Sequence, residues 1–117
     1  MSHTIAHTDH LDREGSWLLA RRTLDVRSFG INVVDVPPGG ELPAHSETDP
    51  DQEEVYLVLD GRPTIRIGED EHELTAGTFV RLDPEPVRSV VNRTREPARL
   101  LMVSAPITSG FAPMDWA

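Results

Sequence analysis

At 117 residues the chain is long enough for one hydrophobic core and too short for two. It has no cysteine, which excludes disulfides and thiolate metal sites and leaves only nitrogen and oxygen ligands for any ion. A formal net charge of −9 argues against nucleic acid as a partner, because phosphate binding draws on an excess of Lys and Arg.

No apolar run approaches the ~20 residues that span a bilayer, and the N-terminus lacks the charged-then-apolar layout of a secretion signal. The expectation is a cytoplasmic protein with no membrane partner. Residues 1–16, MSHTIAHTDHLDREGS, are polar and carry little apolar pattern, so they are expected to form a flexible arm. His3, His7 and His10 sit there at helical spacing, but an arm lacks the surrounding groups that fix true metal ligands.

From Trp17 the texture changes to short apolar runs broken by turn residues about every 8 to 12 positions, the signature of an all-β sandwich or barrel. The predicted strands are 17–21, 26–36, 41–47, 54–59, 63–67, 71–74, 78–82, 87–92 and 98–104, within one domain over residues 17–105. Pro37-Pro38-Gly39-Gly40, Asp60-Gly61 and Gly68-Glu69-Asp70 supply the turns between them. Ten prolines, most of them at these joints, exclude long helices. Residues 106–117 hold Ile107, Phe111, Met114 and Trp116, too apolar for a free tail, and are expected to pack on the barrel or on a dimer partner.

Strand periodicity sorts the side chains. His45 and Glu47 share a face, as do Glu54, Tyr56 and Val58, and as do Arg88, Val90 and Asn92. Val55, Leu57 and Leu59 are apolar too, so the strand EEVYLVLDG reads as covered on both sides.

The stretch GGELPAHSETDPDQEEVYLVLDG, followed by AGTFVRLDPEPVRSVVN, resembles the two signature motifs of the cupin superfamily over about residues 31–104. Glu54 stands six residues before Gly61, matching the first motif; His45 fits its first histidine, and Glu47 occupies the place of the second. Gly77 and Asn92 fit the ends of the second motif, Pro84 lies one place late, and Arg88 stands where that motif has its histidine. The resemblance implies a double-stranded β-helix, that is a jelly-roll barrel, and a metal held by the motif residues. It also implies a homodimer, which the apolar outer face of the central strand independently asks for.

Two states of the site follow from counting charge. Without a metal, Glu47 and Glu54 balance Arg88 and a protonated His45, and Arg88 bridges the glutamates. With Mn, Fe, Ni or Zn on His45, Glu47 and Glu54, the sum is +1 and the site takes an anion. Repulsion between Arg88 and such an ion favours the metal-free state. The expected ligand is a small anionic organic molecule, with Glu54 or His45 as general base and Arg88 as clamp. Tyr56, Glu47, Gln52 and Asn92 are the further ligand-binding candidates. Isomerase-like or, with metal, oxygenase-like chemistry is one reading, and a non-catalytic ligand-binding or sensor barrel is the other.

Overall fold

The computed structural model describes residues 2–117. Among the described residues, nine strands form two facing sheets, joined by one short α-helix and one 3-10 turn. The larger has the order β1 (Arg13–Glu14), β2 (Trp17–Leu18), β3 (Gly30–Val36), β9 (Ala98–Pro106), β4 (Gln52–Asp60), β7 (Phe79–Leu82). The smaller has the order β6 (Asp70–Glu73), β5 (Thr64–Ile67), β8 (Arg88–Val91). All pairings are antiparallel. Among the described residues no helix is long and apolar enough to cross a membrane.

The two longest strands, β4 and β9, lie side by side at the centre of the larger sheet, and alternation decides which residues they bury. Tyr56 and Val58 from β4 meet Ala98, Leu100 and Met102 from β9 in the core, with Val34 and Val36 of β3 beside them. Ile65 and Val90 close this core from the opposite sheet. Burying such side chains contributes about 1.5–3 kcal/mol each, which is why period-two patterning outweighs local propensity here.

Turn chemistry sets the connections. Gly68 adopts φ +60°, and Ile67 pairs with Asp70 across the two-residue tip Gly68-Glu69. Gly61 has φ +83°, and a Cβ there would meet the Pro97 carbonyl oxygen at 2.5 Å, so two chain segments pass each other closely enough that only glycine fits.

Several elements differ from the periodicity reading. Residues 41–47, expected as a strand, run extended but form only isolated bridges, Glu41 to Val91 and His45 to Arg88. Pro43 within the run lacks the N–H that a continuous ladder needs. The expected strand 17–21 ends at Leu18, and helix α1 (Ala20–Leu24) follows, closed by Asp25 in the left-handed region at φ 58°. Its sequence ARRTL includes strong helix formers, and that local preference holds once Leu18 has been buried. The strand expected to begin at Val26 begins at Gly30, because its register with β9 starts there, opposite Ser104. Inside the stretch expected as an arm, Thr8–His10 forms a 3-10 turn and β1 pairs with β2. Beyond β9, residues 107–117 remain exposed on this chain, with Phe111 and Trp116 more than four-fifths accessible.

Candidate functional site

The site forms at one end of the barrel, where β4 begins. Strand alternation turns Glu54, Tyr56 and Val58 inward, all buried. The segment 42–47 is drawn over them by backbone hydrogen bonds to β8 and the loop before it. Leu42 N–H donates to the Val90 carbonyl at 2.8 Å, His45 and Arg88 exchange both backbone bonds at 3.0 and 2.8 Å, and Glu47 N–H donates to Pro84 at 2.8 Å. This zipper brings the side chains of His45 and Glu47 to Glu54.

His45 Nε2 lies 3.7 Å from Glu47 Oε2 and 3.9 Å from Glu54 Oε1. One ligand atom from each of the three lies within 4.8 Å of the others. Glu54 Oε1 also accepts the Tyr56 hydroxyl hydrogen at 3.0 Å, and Arg88 Nε stands 3.6 Å from it. Burial raises the pKa of Glu54 above its ordinary value and the neighbouring Glu47 charge adds to the rise, while the Tyr56 hydrogen bond, Arg88 and His45 oppose it. Burial, then the Glu54 carboxylate, pushes Tyr56 far above the usual phenol range, so its hydroxyl stays protonated and donates.

These groups face a cavity of about 410 Å³. Besides His45, Glu47, Glu54 and Tyr56, its wall carries the indole of Trp17, the amide of Asn32, the hydroxyl of Ser104, and apolar surface from Leu42 and Met102. The sequence reading missed Trp17, Asn32 and Ser104, which come from three strands joined only by sheet register; no local motif marks them. A second depression, of about 420 Å³, lies among Arg13, Asp35, Asp60 and Arg99. Asp35 there is held by Arg99 at 2.7 Å and by Arg13 at 2.9 Å, and these pairs tie β1, β3 and β9 together, so that depression reads as structural.

The remaining sequence candidates part company at this point. Arg88 reaches Glu54 but does not bridge both glutamates, and it does not line the cavity. Its terminal nitrogens donate to the backbone carbonyls of Pro84, at 3.2 Å, and Asp83, while its buried Nε has no hydrogen-bond partner. A clamp on a ligand in this cavity needs free guanidinium edges, and Arg88 has spent them on its own loop. Asn92 is fully buried and fully used: it donates to Val36 and Glu96 carbonyls and accepts from Thr94 twice. Gln52 opens β4 opposite Pro106, outside the cavity wall.

One imidazole and two carboxylates within this compass are a donor set that fits a divalent ion taking nitrogen and oxygen ligands. Glu54 Oε1, which lies 3.9 Å from His45 Nε2, also accepts the Tyr56 hydrogen bond.

Residues 32–104 match the family model for a cupin domain. The chain belongs to the cupin family. This cupin superposes on a cupin protein from Bacteroides fragilis with TM-score 0.82, at 21% identity, over 97% of this chain and 92% of that one. A protein with a double-stranded β-helix domain from Klebsiella pneumoniae matches with TM-score 0.64 and 26% identity, over 74% of this chain and 75% of that one. A cupin-superfamily protein from Silicibacter pomeroyi described as a sugar phosphate isomerase matches with TM-score 0.67 and 25% identity; the match covers 78% of this chain and 60% of that chain. No functionally curated protein matches the sequence. The jelly-roll expectation drawn from the two motifs therefore holds for the fold.

Proposed function

We propose that this cupin binds a small polar organic molecule in the 410 Å³ cavity and moves a proton on it with Glu54, an isomerase-like role. The observation that carries this reading is Glu54 itself: a buried carboxyl on the cavity wall, its pKa raised by that burial and its Oε1 held by a tyrosine that stays a donor. A carboxyl raised toward the working pH both takes and returns a proton more readily than a solvated one. Tyr56 fixes one oxygen, so the other meets the ligand. His45 and Glu47 supply hydrogen bonds at the cavity mouth, Asn32 and Ser104 add neutral partners, and Trp17 gives a flat face for an apolar side of the ligand.

The ligand's charge depends on the metal. With no Lys or Arg on the cavity wall and two carboxylates beside the one imidazole, the metal-free pocket suits a neutral, hydroxyl-bearing molecule, because the carboxylates accept hydroxyl hydrogens and repel anions. His45, Glu47 and Glu54 would hold Mn, Fe, Ni or Zn, which would supply a Lewis acid and offset both carboxylates; an anionic ligand belongs to that state. The isomerase description of the Silicibacter protein favours the proton-transfer reading over an oxygenase one, since proton transfer needs no redox group. The same cavity without chemistry would make a ligand sensor. A cytoplasmic location fits either reading.

Thermal-shift measurement on chelator-stripped protein tests this, using sugars and polyols as the neutral panel and small carboxylates as the anionic one, each with and without Mn²⁺. Stabilisation by neutral ligands without metal, and by carboxylates only with it, is expected, both weakened in Glu54→Gln. No stabilisation by any class in either state would leave a purely structural barrel.

A further inference from the structure

Three strands of the larger sheet each present one inward residue along a single row of the cavity wall. Glu54 of β4 pairs with Ser104 of β9, and Ser104 pairs in turn with Gly30 of β3. All three line the cavity. With neighbouring strands about 4.8 Å apart, the row runs about 10 Å from Glu54 to Gly30. Asn32, the next inward residue of β3, lines the cavity beside the Gly30 end.

The two members beyond Glu54 bear on each other. The Ser104 hydroxyl holds no hydrogen bond among the described residues, so both its donor and its acceptor sites are open to the cavity. Gly30 has no conformational need to be glycine: it lies outside the set with positive φ, and it sits in a paired strand, where a missing side chain weakens packing. What its bareness supplies is space. A Cβ there would meet Ser104 Oγ at 2.5 Å, while the next nearest atoms, the Ser104 carbonyl oxygen and Cβ, stand at 3.7 and 3.9 Å. Only the hydroxyl, in the position it holds, opposes a side chain at residue 30. A glycine in a strand often marks the place where a ligand comes close to the backbone.

We propose that Gly30 and Ser104 select the ligand by its length. Ser104 Oγ hydrogen-bonds one oxygen of the neutral, hydroxyl-bearing molecule while Glu54 meets its reacting end, and the bare backbone of Gly30 admits the far end of its carbon chain. A hydroxyl that can both donate and accept suits ligand hydroxyls better than a carboxylate, which only accepts. The class this fits is an open-chain polyol or sugar extended along the row, in preference to a molecule as short as glycerol. One methyl group at position 30 would close that end of the site, so discrimination by length rests on the smallest possible change of side chain. The selection rests on the ligand reading proposed above.

Magnetic resonance titration of chelator-stripped protein with glycerol, erythritol, xylitol and sorbitol tests it. The signal to follow is the indole N–H of Trp17, on the same wall, assigned with Trp116→Phe. A reporter inside the site is needed because polyols stabilise folded chains in general by exclusion from their surface. In the parent, affinity is expected to rise from glycerol to sorbitol. Ser104→Ala weakens xylitol and sorbitol about fivefold, the worth of one hydrogen bond. Gly30→Ala weakens the same two at least about tenfold and glycerol less than about twofold. Gly30→Ala with Ser104→Ala, where a Cβ at position 30 meets nothing closer than 3.7 Å, still penalises the longer polyols more than glycerol, and it decides the matter if Gly30→Ala alone does not fold. Equal losses along the series in the glycine variants overturn the selection, as does Ser104→Ala protein that binds like the parent. Binding that responds to Glu54→Gln but to neither of these residues leaves the proton-transfer reading standing and refutes the selection. A parent that binds none of the four also refutes it, and the sugar panel above then decides the site itself.

Discussion

The Tyr56 hydroxyl donates a 3.0 Å hydrogen bond to Oε1 of Glu54, two residues away on the same strand and inside the barrel. The pair is a direct product of period-two geometry, since both side chains must turn to one face. It also sets how the fold responds to acid. Glu54 has a folded pKa raised above 4.5, so folding favours its protonated form: that contribution is fully present below about 4.5 and is lost as pH rises through the raised value. Glu54→Gln, which imitates the protonated acid, is therefore more stable than the parent at neutral pH, with a margin that shrinks toward 4.5. Urea melts at both pH values check this, and a Gln variant less stable at neutral pH would contradict it.

Tyr56→Phe removes the donor while keeping the ring. The buried carboxyl then lacks a partner, at a cost of about 1–3 kcal/mol in the same melts. A variant as stable as the parent would mean that water replaces the hydroxyl.

Arg88 is enclosed almost completely, with its charge directed at the carbonyls of Pro84 and Asp83 and its Nε toward Glu54. Arg88→Met strands those carbonyls and leaves Glu54 without a neighbouring cation, and costs about 3–5 kcal/mol. Arg88→His, by contrast, removes a permanent positive charge beside the His45, Glu47 and Glu54 cluster and raises Mn²⁺ or Zn²⁺ affinity about tenfold, equivalent to ~1.4 kcal/mol. Calorimetric titration reads this out, and equal affinities would show that Arg88 is too far removed to repel an ion.

Gly61 combines a positive φ with backbone contacts from the 97–98 segment that a Cβ would strike at 2.5 and 2.7 Å. Gly61→Ala is expected to destabilise by about 2–4 kcal/mol, from strain and forced displacement together. Any other glycine with positive φ and open space around it, such as Gly68, loses less.

Much of this was legible in the chain itself, for identifiable reasons. The run EEVYLVLDG reads as β4 because alternation, an acidic turn and Gly61 agree, and the structure extends it only to Gln52–Asp60. The meeting of His45, Glu47 and Glu54 follows from the same pattern, although residues 41–47 form only bridges where a strand was expected. What could not be read was where Arg88 spends its hydrogen bonds. A guanidinium two residues after Pro86 has carboxylates and backbone carbonyls within reach, and only the closed geometry of the 83–88 loop selects the carbonyls. Trp17, Asn32 and Ser104 were likewise hidden, because their place on the cavity wall depends on register between distant strands.

The most direct test of the acid–base role is a carbon-13 titration of the Glu54 side-chain carboxyl, assigned by comparison with Glu54→Gln. A midpoint above 4.5, moving further upward in Tyr56→Phe, is the expected result. A midpoint at or below 4.5 that ignores the loss of the tyrosine hydroxyl would show an ordinary, solvated carboxylate and contradict the proposed chemistry.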